Sequence, residues 1–149
     1  NNAAATVGPI ILQYPFYSGI MGMMSTTGLM KVITDWIISI STPETLGFFA
    51  FLSGGLVNMF IPSGGGQWAV QGPIMIEAAL SLDVNPSVVV LGVAYGDQWS
   101  NMIQPFWTIP ILAIAGLHMR QILGYTFVIF IITGFLYGGG MLHMGTGNI

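Results

Sequence analysis

Ile61-Pro62-Ser63-Gly64-Gly65-Gly66-Gln67-Trp68 (IPSGGGQW) separates two of the most apolar runs in the chain. A helix-breaking proline, three consecutive glycines and several hydrogen-bonding side chains in that place need a reason. A solvated surface loop is the simplest one, and it holds only if the chain folds in water.

Composition argues against that. Charged residues make up 5% of the 149 and apolar residues 54%, where soluble domains carry roughly a quarter charged residues. Mean hydropathy is +0.80. Two cations and five anions cannot cover the surface of a water-soluble domain of this length. The natural solvent is a bilayer. The absence of cysteine excludes disulfides and thiolate metal sites. A net charge of −3 with no basic run argues for no nucleic-acid partner. No charged leader with a cleavage site opens the chain at Asn1. Residues 1–149 read as a single transmembrane domain, a segment of something longer.

Working outward, the arms of the octapeptide are short. "TLGFFAFLSGGLVNMF" precedes it and "AVQGPIMIEAALSL" follows it, and neither reaches the roughly 20 apolar residues a full span needs. Two short arms meeting at a Pro/Gly tip predict a re-entrant helical hairpin. Upstream, Thr6–Met24 is long enough to span, with a kink expected at Pro9 and Pro15. Gly28–Ser41 carries Lys31 and Asp35 four apart and apolar residues at helical spacing, which fits an interfacial helix anchored by Trp36 or a tilted span. Thr42-Pro43-Glu44 reads as a helix start.

Downstream, Asp83-Val84-Asn85-Pro86 is a turn and helix start. Ser87–Leu117 is too long and too interrupted for one straight helix, with "YGDQWSNMIQP" in its middle. That predicts a discontinuous transmembrane helix broken near Gly96–Asn101. His118 and Arg120 mark an aqueous boundary, and Ile122–Leu142 is the cleanest span. The fold class is all-α, polytopic in a membrane.

Lipid offers no hydrogen bonds, so non-helical backbone at membrane depth survives only inside protein or along a watery cavity. Gly64, Gly65 and Gly66 would turn the chain with positive φ and let a ligand reach bare backbone. Helix ends at such a tip favour an anion such as a carboxylate. Pro62 shapes the tip, Ser63 and Gln67 add side-chain donors, and Asn101 and Gln104 complete the candidate substrate site. The second break offers Asp97 with Gly96, Gln98 and Ser100 as candidate coupling residues, able to hold Na⁺ or, through Asp97, a proton. Paired broken segments are the best sequence pointer to the binding site of a secondary transporter.

"VNMFIPSGGGQWAVQGPIMIEAA" and "AYGDQWSNMIQPFWTIPILAIAGL" resemble the bacterial short-chain fatty acid transporter family of the ion-transporter superfamily, and the resemblance extends over essentially the whole chain. It implies the C-terminal part of a multi-pass protein of the bacterial inner membrane, the second of two inverted repeats. It also implies an N-terminal half as partner, a homodimer, and elevator-like uptake of a small monocarboxylate such as acetoacetate or butyrate. "PSGGGQ" would then be the tip of the second re-entrant hairpin. The Ser-Asn-Thr tip of related dicarboxylate symporters is absent, so their sodium ligands do not transfer. Weak-acid substrates and one visible carboxylate favour a proton, with Na⁺ the other candidate; no further cofactor is implied.

Blander readings stand beside these. Asp97 could cap the helix that resumes after the break, Glu77 could snorkel to the interface or face the cavity, and Gly138-Gly139-Gly140 could be a flexible helix end. Gly92/Gly96 and Gly134/Gly138 have the spacing of close helix packing. His118 and His143 lack metal-ligand spacing. An enzyme would need a nucleophile and base, and Ser63 has no histidine near it in sequence. The remaining alternative is a structural or channel-like membrane subunit.

Overall fold

The computed structural model describes residues 2–145, all in helices and the turns between them, with no strand among these residues. The elements are α1 (Asn2–Thr26), α2 (Leu29–Ser39), α3 (Leu46–Asn58), α4 (Gly64–Ser81), α5 (Pro86–Ser100), α6 (Pro105–Ala115) and α7 (Met119–Gly145). At 1.5 Å per residue, α1 and α7 are each long enough to cross a membrane. Among the described residues α7 alone is both long and apolar enough by composition, while α3 and α6 are shorter apolar helices.

α1 runs uninterrupted through Pro9 and Pro15, where the sequence suggested a kink. α2 has 11 residues, about half of a hydrocarbon core of roughly 30 Å, so the tilted-span reading falls. It buries Thr34 and Ile37 and exposes Leu29, Val32 and Trp36. Lys31 Nζ and Asp35 Oδ2 pair at 2.7 Å on its exposed side. Such solvated pairs add little to stability.

The core is the parallel pair α3 and α5. Glycines let their backbones meet: a Cβ on Gly54 would lie 2.7 Å from the Val93 carbonyl oxygen, and one on Gly92 2.7 Å from that of Gly47. Gly96 backs directly onto the Phe51 carbonyl and the Gly55 amide. Leu46, Ala50, Met75, Ala79, Val89 and Val93 fill the space between this pair and α4. α7 runs antiparallel across it, with Gly134 against the Trp99 indole and Gly138 against Phe48. Trp99 Nε1 donates to the Phe130 carbonyl at 2.7 Å, fixing that crossing. The packing expected of both glycine pairs is what the fold contains.

Three local expectations change. The glycine triplet is not the turn; it forms the first turn of α4, and the non-Gly tip is Ile61-Pro62-Ser63. Positive φ occurs at Gly28, Asp83 and Gly116 among the described residues. The cause is Ser63: its extended backbone (φ −151°, ψ 106°) makes it the N-cap, with Oγ accepting from the Gly66 N–H. The second interruption falls at residues 101–104, so Gly96–Ser100 are helical. Pro105 forces Gln104 into extended backbone (φ −73°, ψ 125°), and α5 continues until that constraint stops it. Gly138-Gly139-Gly140 lies inside α7, which continues to Gly145.

Candidate functional site

The two interruptions meet at Asn58, the last residue of α3. Its Nδ2 lies 3.0 Å from the Asp97 carbonyl oxygen, 2.8 Å from Ser100 Oγ and 2.8 Å from Asn101 Oδ1. Gln104, from the α5–α6 break, donates its amide to the Asn58 carbonyl. Asn101 Nδ2 donates to Asp97 Oδ2 at 3.3 Å. Asn58 and Gln104 are fully buried and Ser100 nearly so. In this fold, then, the ends of α3 and α5 are stitched together by side chains.

A second polar chain ties α4 to α3. Gln67 Nε2 donates to the Gly54 carbonyl at 2.9 Å and to Gln71 Oε1 at 3.0 Å. Gln71 Nε2 donates to Ser53 Oγ at 2.7 Å, and that hydroxyl donates to the Ala50 carbonyl at 3.0 Å. All three side chains are fully buried. Both amide hydrogens of Gln67 are therefore occupied, and its role as a donor to substrate, expected from sequence, does not fit the geometry. Its Oε1 remains an acceptor without a partner.

The start of α4 stands between two cavities. One, of about 400 Å³, is walled by Tyr14, Tyr17, Phe106 and Trp107 and reaches Pro62, Ser63, Gly64 and Gly66. Phe106 holds that wall together, its ring edge-to-face with Tyr14 (5.6 Å), Tyr17 (4.8 Å) and Trp107 (4.9 Å). The other, of about 430 Å³, is lined by Gly64, Gln67, Trp68, Asp97 and Gln98. Gly64 belongs to both. Gly66 N–H is bonded to Ser63 Oγ and Gln67 N–H to the Ser63 carbonyl, which leaves the N–H groups of Gly64 and Gly65 open. A Cβ on Gly65 would meet nothing within 4 Å, so a ligand can come close there.

Asp97 does not cap α6. Its Oδ2 accepts from Asn101, and its buried Oδ1 has no partner. Gly96 serves the α3 crossing, Gln98 is exposed beside Asp97, and Gly65 lies open at the tip. Glu77 is exposed and lines neither cavity. No group of His, Asp or Glu among the described residues has metal-site geometry. Sequence reasoning missed Asn58, Gln71 and the Tyr14–Tyr17 wall. Gln67 and Gln71 stand four apart on an apolar helix, a spacing that could have marked a buried pair. Tyr14 carried no such signal.

An all-α chain with a long apolar helix, buried amides and two adjoining helix interruptions is built as a helical membrane protein with a polar centre. The chain belongs to the short-chain fatty acid transporter family, whose model matches residues 1–144. This is a family of transporters, not enzymes. A protein of Escherichia coli (strain K12), provisionally named a short-chain fatty acid transporter, is 43% identical over 143 residues, covering 96% of this chain and 31% of that protein. A Haemophilus influenzae protein with the same provisional name is 39% identical over 143 residues, covering 96% of this chain and 32% of its own length. The chain thus spans about a third of these curated relatives, matching their C-terminal part. No solved structure matches it.

Proposed function

We propose that the chain forms part of a secondary transporter that takes up short-chain fatty acids or related monocarboxylates together with a cation. The observation carrying this is Gly64, shared between an aromatic, apolar cavity and one lined by a carboxylate. A short fatty acid has an apolar tail and one anionic head. The tail suits the Tyr14, Tyr17, Phe106 and Trp107 wall; the head suits the free N–H groups of Gly64 and Gly65 at the positive end of α4, with the Ser63 hydroxyl beside them.

Coupling follows from charge. A substrate carboxylate at Gly64 comes close to Asp97, and two carboxylates about 5 Å apart repel by about 3 kcal/mol at an effective dielectric of about 20. A proton on Asp97 or a bound Na⁺ removes that penalty, so substrate and cation bind best together. In this reading α3 and α4 are the re-entrant hairpin and α5 and α6 the broken helix of a moving domain, carried elevator-fashion in the multi-pass, inner-membrane, homodimeric parent protein.

Counterflow tests it. Proteoliposomes of the full-length parent, loaded with unlabelled butyrate, should accumulate labelled butyrate transiently, and excess external acetoacetate should suppress this. A parent that inserts and folds but gives no counterflow with any short monocarboxylate would be a structural subunit.

A further inference from the structure

The cavity beside Tyr14 is roomier and more aromatic than a short alkyl tail requires. It measures about 400 Å³. At roughly 30 Å³ for each water-sized atom, a four-carbon acid of about six such atoms fills less than half of it. An acid built on a six-membered ring, of about nine such atoms, fills about two-thirds.

The wall has ring surface to spare. Phe106 is buried, and Tyr14, Tyr17 and Trp107 already stand edge-to-face with it at interplanar angles of 83°, 80° and 88°. Tyr14 on α1 and Trp107 on α6 also line the cavity, yet they remain 54% and 45% exposed. Met21 and Ile61 at the floor belong to an apolar cluster with Met24 and Val57. The polar edge is the tip, where the N–H groups of Gly64 and Gly65 are open. Among the described residues no charged side chain lines this space.

We propose that the cavity prefers arylcarboxylates of the size of benzoate and phenylacetate, with the ring against Tyr14 and Trp107 and the carboxylate at Gly64 and Gly65. The seat of the carboxylate rests on the transport reading; the ring subsite rests on the wall itself. An alkyl tail gains only the burial of its area there. A flat ring also gains edge-to-face or offset contacts with the exposed rings, each worth about two- to tenfold in affinity beyond burial.

The test uses the full-length parent in proteoliposomes. Unlabelled butyrate, benzoate and cyclohexanecarboxylate compete against the counterflow of labelled butyrate. The last two are anions of similar size at neutral pH and differ in the flat π-system. Benzoate should half-inhibit at a concentration several-fold below either of the others. Trp107→Leu, which keeps an apolar side chain, should shrink the gap between benzoate and cyclohexanecarboxylate to about twofold or less, and Tyr14→Leu serves if that variant does not insert. Benzoate no better than cyclohexanecarboxylate overturns the proposal and leaves the wall as apolar area alone. Benzoate without effect in large excess also overturns it, the room then being filled by the rest of the parent. A benzoate preference that both variants retain in full places the ring elsewhere and sinks it too. Butyrate counterflow with any of these failures sinks this inference alone. If no monocarboxylate gives counterflow, the transport reading fails, and the melting temperature of the parent in detergent decides the ring subsite by itself. A larger rise with benzoate than with cyclohexanecarboxylate then supports it, and equal rises or none overturn it.

Discussion

A Cβ placed on Gly64 would stand 3.7 Å from Oδ2 and 3.8 Å from Oδ1 of Asp97, so the first residue of α4 and the carboxylate on α5 face each other at contact distance. Those are ordinary van der Waals separations. Gly64→Ala should therefore fold and insert normally, gaining a little helix propensity, while its methyl occupies the space between the free amides and the acid. Butyrate counterflow is expected to fall at least tenfold at unchanged melting temperature. Full activity would show that substrate does not use this junction.

Gly65→Val tests the open tip. Nothing lies within 4 Å of a Cβ there and the residue has no positive φ, so the fold should accept the side chain. The branched group would cover the free Gly65 N–H and block approach of a carboxylate. Inserted protein without uptake is the expected result, scored as labelled butyrate per milligram of reconstituted protein. If the variant transports normally, α4 begins at a turn and nothing more.

The helix crossing predicts a contrast within one residue type. Gly96 backs onto the Phe51 carbonyl, whereas a Cβ on Gly139 meets nothing within 4 Å. Gly96→Ala must push α3 and α5 apart, a strain worth about 1–3 kcal/mol. Gly139→Ala should leave stability unchanged or slightly raised. The melting temperatures of the two purified variants decide it, and equal values would mean that α3 and α5 leave room for a methyl group at Gly96.

Much of this was legible in the chain, and the failures share a cause. Low charge and the short arms around Pro62 point to an all-α chain with two short helices meeting at a non-helical tip, and Pro105 with its polar approach points to the interruption between α5 and α6. The exact breaks lie elsewhere because hydrogen-bonding side chains do not by themselves mark irregular backbone. Asp97 and Ser100 are helical because Gly92 and Gly96 press α5 onto α3. Ser63 capping Gly66 made a helix of three glycines that in isolation favour a turn. Tertiary contacts were also what recruited Asn58 and the Tyr14–Tyr17 wall, and no local pattern around either residue announces its partners.

The Gln67–Gln71–Ser53 chain predicts a stability effect separable from transport. Gln71→Leu leaves one Gln67 amide hydrogen and the Ser53 acceptor without partners in a buried place. Such losses cost about 1–3 kcal/mol. Gln98→Leu, at an exposed position beside Asp97, should not change the melting temperature. A Gln71→Leu protein as stable as wild type would imply that water readily replaces the amide.

Asp97→Asn addresses coupling. The substitution keeps the size of the side chain and its contact with Asn101 within reach, while removing the only carboxylate among the described residues that lines either tip cavity. Without that charge a substrate anion at Gly64 meets no repulsion, so it no longer needs a cation to bind. Accumulation of butyrate against its gradient should then fail, because nothing ties the gradient of the cation to movement of the anion. Exchange of labelled for unlabelled butyrate should persist, since the amides and the aromatic wall are intact. The two are measured in the same proteoliposomes, with and without an imposed cation gradient. Concentrative uptake surviving in Asp97→Asn would move the coupling residue outside this chain. Loss of exchange together with accumulation would place Asp97 in substrate binding itself.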